Sequence, residues 1–162
     1  LSRSPKGAGG DLVVGLISDT HGLLRSEALT ALDGTDLIIH AGDVGRDGIV
    51  ETLGRLAPIC AVRGNVDRGA WAAALPLGAR LEVGGLGIYV YHGHEQPALE
   101  PAAAGFRVVV RGHSHKAEAT EQGGVFYLNP GSAGPRRFRL PVTLMRLYIG
   151  GAGVRTELVQ LA

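Results

Sequence analysis

Three short apolar runs rich in β-branched residues, Leu12–Ile17, 37–39 and 59–62, each end in a cluster of polar residues. Between them lie segments with helical spacing. Ser26–Leu32 places Ala28, Leu29 and Leu32 on one side, and 48–56 repeats the pattern. Strand, polar loop, helix, strand is the order of βαβ units, which builds a largely parallel sheet. No other feature constrains the fold as strongly. It also says where to look for chemistry, because open α/β sheets place their sites beyond the carboxyl ends of the strands.

The second half changes character. Residues 80–83 and 87–91 read as two strands around the turn Gly84-Gly85, a hairpin pattern. Residues 97–104 read as a short helix and 108–110 as a strand. Further strands are expected at 125–128, 142–148 and 154–161, with turns at Gly123-Gly124 and Gly150-Gly151. The expected architecture is an α/β four-layer αββα sandwich: two stacked mixed β-sheets flanked by helices. With 45% hydrophobic and 19% charged residues, the chain can build one core without staples. It carries no internal repeat or linker, so residues 11–162 read as one domain, behind a mobile tail at 1–10.

All six histidines fall in or beside the polar clusters: Asp19-Thr20-His21, His40 ahead of Gly42-Asp43, His92-Gly93-His94 and Gly112-His113-Ser114-His115. Gly64-Asn65-Val66-Asp67 adds an amide and a carboxylate after the third apolar run. Residues two apart share a face in extended structure, so each Asp-x-His or His-x-His pair is expected to present both groups on one face, and Asp19 and His21 could hold one ion together. Imidazole, carboxylate and amide oxygen together suit divalent Mn, Fe, Ni, Co or Zn. Asp43 has two carboxylate oxygens and is therefore able to bridge two ions. Asn65 offers either a neutral ligand oxygen or a turn residue. Asp67 reads as a hydrogen-bond acceptor or turn residue, and His40 as a packed group outside the ligand set. Ser18 and Ser114 lack the base and acid of a serine hydrolase. Arg136, Arg137 and Arg139 form the densest basic cluster, suited either to a phosphate or to a solvated loop.

A net charge of +1 gives little attraction to nucleic acid or anionic membrane. An aromatic content of 5%, with no interleaved basic residues, does not suit a stacking platform for single strands. One cysteine, Cys60, excludes an intrachain disulfide and fits a reducing compartment. It sits in an apolar run and reads as a buried thiol. No apolar run approaches the ~20 residues of a membrane span, and Arg3 and Lys6 precede nothing long enough for a signal peptide. A cytoplasmic protein is expected, acting on a small phosphodiester or other phosphate ester. A homo-oligomer is compatible with this reading.

These motifs, in this order and spacing, resemble the calcineurin-like metallophosphoesterases. Within that superfamily the chain is similar to the small single-domain bacterial and archaeal phosphodiesterases, relatives of the retromer subunit of the same fold. The resemblance runs from about Leu12 to Arg146 and includes the turn Leu128-Asn129-Pro130-Gly131-Ser132. It implies two divalent cations, manganese favoured, and hydrolysis by in-line attack of a hydroxide that bridges them. Asp19, His21, Asp43 and His115 would hold the first cation, and Asp43, Asn65, His92 and His113 the second. The retromer subunit has a degraded centre, so intact ligands favour an enzyme. A phosphomonoesterase, or a metal-stabilised interaction module, stands as the alternative. Many members carry a histidine directly after the motif asparagine; here it is Val66, which leaves His94 as the candidate general acid. Asn65 and His94 are thus the candidate catalytic residues.

Overall fold

The structure is a computed structural model that describes residues 2–3 and 10–162. Of the tail expected at 1–10, residues 1 and 4–9 lie outside the described residues, and Ser2–Arg3 forms a two-residue strand, β1. The three apolar runs become β2 (Leu12–Ile17), β3 (Leu37–His40) and β4 (Ile59–Ala61), all parallel. Two helices make the crossovers, α1 (Ser26–Leu32) and α2 (Ile49–Gly54), and α3 (Ala70–Ala73) follows β4. The hairpin is β5 (Gly78–Val83) with β6 (Leu86–Tyr91). Then come β7 (Phe106–Val110), β8 (Glu118–Gln122), β9 (Val125–Asn129), β10 (Thr143–Gly150) and β11 (Gly153–Gln160).

These strands form two mixed sheets, in the orders β11-β10-β2-β3-β4 and β1-β5-β6-β7-β9-β8. The period-two pattern decides how they stack. Leu12, Val14, Leu16, Leu37, Ile39, Met145, Leu147 and Ile149 from the first sheet meet Leu81, Val83, Ile88, Val90, Val108, Val110 and Leu128 from the second. The alternate residues Ile17, Ile38 and Leu144 face outward, where Ala28 and Leu32 of α1 and Ile49 and Leu53 of α2 cover them. The outer face of the second sheet carries a smaller cluster of Tyr91, Val109 and Val125, flanked by Tyr89 and Tyr127. The α/β sandwich of two stacked mixed sheets read from the sequence is therefore the observed fold; of the four layers expected, the described helices supply the one over the first sheet. Among the described residues no helix is long and apolar enough to cross a membrane. Cys60 packs against the inter-sheet core, and burial pushes its thiol pKa up.

One expected element is absent. Residues 97–104 form no helix, only a single turn closed by Ala104 N–H on the Glu100 carbonyl. Gly105, at φ +90°, then ends it: its N–H bonds the Ala102 carbonyl and Phe106 N–H bonds the Pro101 carbonyl. That is the Schellman closure of a helix that has barely begun. Proline at 97 and 101 leaves two N–H groups fewer to build on.

What the fold supplies is one rim. The polar segments follow the carboxyl ends of β2, β3, β4, β6 and β7, and the parallel pairing points all of these ends the same way in each sheet.

Candidate metal centre

Asp19 and His21 lie beyond β2, with φ of +56° and +45°. Asp43, His113 and His115 have φ of +53°, +70° and +64°, and Gly93 between His92 and His94 has +117°. The expected explanation for paired ligands, alternation along an extended strand, is therefore incorrect. The chain leaves each strand and turns through the left-handed region, which is what brings the side chains together. Non-glycine residues adopt this region at a cost of order 1 kcal/mol or more each. Five of the six described non-glycine residues with positive φ are candidate ligands, so the backbone strain is concentrated here.

The side chains converge in two groups of three, each able to hold an ion: Asp19, His21 and His115, and Asp43, His92 and His113. Asp19 Oδ1 lies 3.2 Å from His115 Nε2 and 3.6 Å from His21 Nε2. Asp43 Oδ2 lies 3.1 Å from His92 Nε2 and 3.6 Å from His21 Nε2, so it stands between the groups. The rings of His92 and His113 meet edge-on at 5.1 Å.

Hydrogen bonds set the orientation of each group. His92 Nδ1 lies 2.8 Å from the Ala41 carbonyl; this nitrogen carries the proton, and Nε2 keeps its lone pair for the centre. Asp19 Oδ2 accepts from Ser18 Oγ at 2.6 Å and from His113 N–H at 3.1 Å. Asp43 Oδ1 accepts from Val66 N–H at 3.1 Å. Each carboxylate thus has one oxygen tied to the protein and the other turned inward. Asp19 Oδ1 and His92 Nε2 are buried without a hydrogen-bond partner. Orphaned buried acceptors are costly, and a divalent cation is the group that would satisfy both. The donor set fits it.

Burial would raise the pKa of Asp19, but the neighbouring His115 and His21 imidazoles and the Ser18 hydroxyl outweigh it and hold the carboxyl well below the usual range. Asp43 behaves alike: burial opposes, and His92 and the Val66 N–H lower it. Burial would lower His92, and Asp43 and Asp19 raise it.

His40 is apart from this set. Its Nδ1 accepts from Gly42 N–H at 3.1 Å, and its Nε2 lies 3.0 Å from Thr20 Oγ1, which donates to the Val44 carbonyl at 2.8 Å. It is a packed strut for the loops carrying Asp19 and Asp43. Burial pushes its pKa down to about 4. An unfolded histidine titrates near 6.5, so between about 6.5 and about 4 the unfolded chain binds a proton that the folded chain does not. The His40 contribution to stability should therefore fall as pH drops through that window, by about 2 kcal/mol from pH 7.5 to pH 5, while the raised His92 contributes in the opposite sense. Urea unfolding of chelator-treated protein measures this, and His40→Gln should flatten the dependence. The same pH dependence in wild type and His40→Gln would contradict the role given to His40.

Asp67 also works on backbone: its carboxylate accepts from the N–H groups of Val44, Gly45 and Gly64 at 2.8–3.2 Å. Asn65 is exposed at this turn, next to the Val66 N–H that holds Asp43. His94 lies outside both groups of three, with its ring 5.5 Å from that of His92 and 6.4 Å from that of His113. Its Nδ1 is buried and unpartnered, and it lines an open cleft with Leu77, Tyr89, Tyr91 and Gln96.

The sequence reading named the turn 128–132 but gave Asn129 and Ser132 no role. Asn129 ties the second histidine loop in place, donating to the Gly112 carbonyl at 3.0 Å and to Ser114 Oγ at 3.1 Å while accepting from Gly131 N–H at 2.9 Å. Ser132 Oγ donates to the Asp19 carbonyl at 3.1 Å, so the same segment holds the first loop too. Gly112 has no room for a side chain, since a Cβ there would meet Ser18 Oγ and come within 2.6 Å of Asp19 Oδ2. Gly112→Ala should lower the melting temperature of chelated protein by several degrees, as overpacking costs about 1–3 kcal/mol. An unchanged melting temperature would show that the loops have slack.

The pattern of the calcineurin-like phosphoesterase superfamily domain matches residues 12–151. The chain is 33% identical to a probable metallophosphoesterase of Methanocaldococcus jannaschii, over 87% of this chain and 78% of that one. Two solved structures share the fold. One is described as a novel archaeal phosphodiesterase, with a TM-score of 0.74 and 23% identity, covering 91% of this chain and 99% of that one. The other is Vacuolar Protein Sorting 29 of Cryptosporidium parvum, with a TM-score of 0.73 and 19% identity, covering 94% and 98%.

Proposed function

From the premise that the chain belongs to the calcineurin-like phosphoesterase superfamily and is a metal-dependent phosphoesterase, we propose that it hydrolyses phosphodiesters at a centre of two divalent cations. Asp19, His21, Asp43 and His115 hold one cation, and Asp43, Asn65, His92 and His113 the other. The observation that carries this reading is the place of Asp43, whose Oδ2 lies 3.1 Å from a histidine of one group and 3.6 Å from a histidine of the other. Histidine with carboxylate suits manganese among several metals.

When bound, a cation pair of this kind supplies activated water and offsets charge on the phosphoryl oxygens. The chain's own residues do the rest. Ser18 spends its hydroxyl proton on Asp19, so it steers a ligand and is no nucleophile. The Val66 and His113 N–H groups fix the two carboxylates and leave their inward oxygens free. The Val66 side chain has no proton to give, and the His94 imidazole, whose Nδ1 is unpartnered and whose ring stands beside His92 and His113, is the group assigned to protonate the leaving oxygen. If it does, His94→Gln should slow an alkyl leaving group by about 10²-fold or more and a nitrophenolate, which leaves without help, far less. Equal losses on both would assign His94 to positioning instead.

The reading is tested with chelator-stripped protein reloaded with Mn²⁺, Ni²⁺ or Co²⁺ and offered an aryl phosphodiester and the matching monoester. Metal-dependent turnover favouring the diester is the expected result. Preference for the monoester would make the protein a phosphatase. A folded, metal-loaded sample inert to both would favour an interaction module on the fold of Vacuolar Protein Sorting 29.

A further inference from the structure

Six described residues other than glycine have positive φ, and five of them are the candidate ligands Asp19, His21, Asp43, His113 and His115. The sixth is Phe138, at φ +55°. A bulky residue in that region is an outlier, and this one is also 92% exposed, far more than any other large apolar side chain described. A strained backbone that presents a bare aromatic ring to solvent has no stabilising purpose in this structure.

The ring belongs to a loop seated on the metal centre. Ala133 N–H bonds the Ser18 carbonyl at 3.0 Å, and Ser132 Oγ the Asp19 carbonyl at 3.1 Å. Gly134 packs so closely on the Asp19 and Thr20 carbonyls that a Cβ would overlap them, and Arg25 Nη2 donates to the Gly134 carbonyl at 3.2 Å. The root of the loop is therefore fixed to the segment that carries Asp19 and His21.

The three arginines of this loop are not equivalent. Arg136 is occupied, donating to the Ala162 carbonyl at 2.9 Å. Arg137 reaches the rim of the centre, with Nη2 3.5 Å from His21 Nδ1, the ring nitrogen other than the one that faces Asp19 and Asp43. At that length it is barely held, and a guanidinium can only donate. A phosphoryl oxygen at the centre would be a far better partner.

We infer that the 136–139 loop is the substrate wall of the centre, where Arg137 grips a non-bridging phosphoryl oxygen and Phe138 covers a flat aromatic ester group. The inference rests on the two-cation reading above and narrows its substrates to phosphoesters that carry an aryl or nucleoside group. The Arg137 part is measured by binding alone, so it can fail or hold independently of turnover. Inorganic phosphate is titrated calorimetrically into Mn²⁺-loaded protein. Arg137→Gln should weaken phosphate by about 10-fold or more with Mn²⁺ binding unchanged, since a hydrogen bond to a charged group is lost. Arg137→Lys should recover part of the loss. Phe138 is tested by comparing bis(4-nitrophenyl) phosphate with methyl 4-nitrophenyl phosphate, which share a leaving group and differ by one ring. Phe138→Ala should lower kcat/KM for the first about 5-fold and leave the second within a factor of about two. Unchanged phosphate affinity in Arg137→Gln, or equal effects of Phe138→Ala on both esters, would overturn the assignment.

Discussion

Asp43→Asn should abolish turnover, by on the order of 10³-fold or more, while the fold survives. Asp43 is the carboxylate that reaches both ligand groups: Oδ2 faces His92 Nε2 at 3.1 Å and His21 Nε2 at 3.6 Å. An asparagine keeps the shape and still accepts from Val66 N–H, the 3.1 Å bond that fixes the side chain. It also removes a charge that the nearby Asp19 opposes, against the loss of the His92 contact that favours it. Chelated variant and chelated wild type should therefore melt within a few degrees of each other. Mn²⁺ should raise the wild-type melting temperature and do much less for the variant, because binding stabilises only as far as affinity allows. Wild-type turnover at low metal in this variant would remove Asp43 from the bridging position.

The second large effect is structural. Asn129→Ala should cost about 3 kcal/mol of stability and weaken metal binding by about 10-fold. Asn129 is 2% exposed and makes three hydrogen bonds, two of them to the Gly112-His113-Ser114-His115 loop. Alanine leaves the Gly112 carbonyl and the Gly131 N–H buried without these partners. His113 and His115 then keep their left-handed backbone with less to hold it. Asn129→Asp should fare little better, since a carboxylate cannot donate to the Gly112 carbonyl. Urea unfolding without metal reads the stability, and Mn²⁺ calorimetry reads the site. A loss below about 1 kcal/mol with unchanged Mn²⁺ affinity would mean that other contacts hold the loop.

The strands and the ligands could be read from the sequence for the same reason: burial and chemistry both restrict residue choice. Leu12–Ile17 is sandwiched between helices and a second sheet, so it admits only apolar residues. Six histidines confined to a few short segments leave little else for them to build. What failed had weaker constraints. The strand Glu118–Gln122 is a mostly exposed edge and shows no apolar alternation. The run 97–104 is rich in alanine and looked helical, yet Pro101 and the left-handed Gly105 hold it to one turn. Asn129 and Arg137 act across the fold, on partners 15 to 17 and 116 residues away, and local spacing does not reveal such contacts. The candidate ligands converge by left-handed turns rather than by strand alternation, so the sequence reading named, through an incomplete geometric argument, residues that the fold gathers.

The central claim is that one centre holds two cations bridged by Asp43. Anomalous diffraction from crystals grown with Mn²⁺ tests it most directly. The account predicts two peaks about 3.5–4 Å apart, one beside Asp19, His21 and His115, one beside His92 and His113, with the Asp43 carboxylate between them. A single peak at full occupancy in excess Mn²⁺, or two peaks that do not share Asp43, would contradict it.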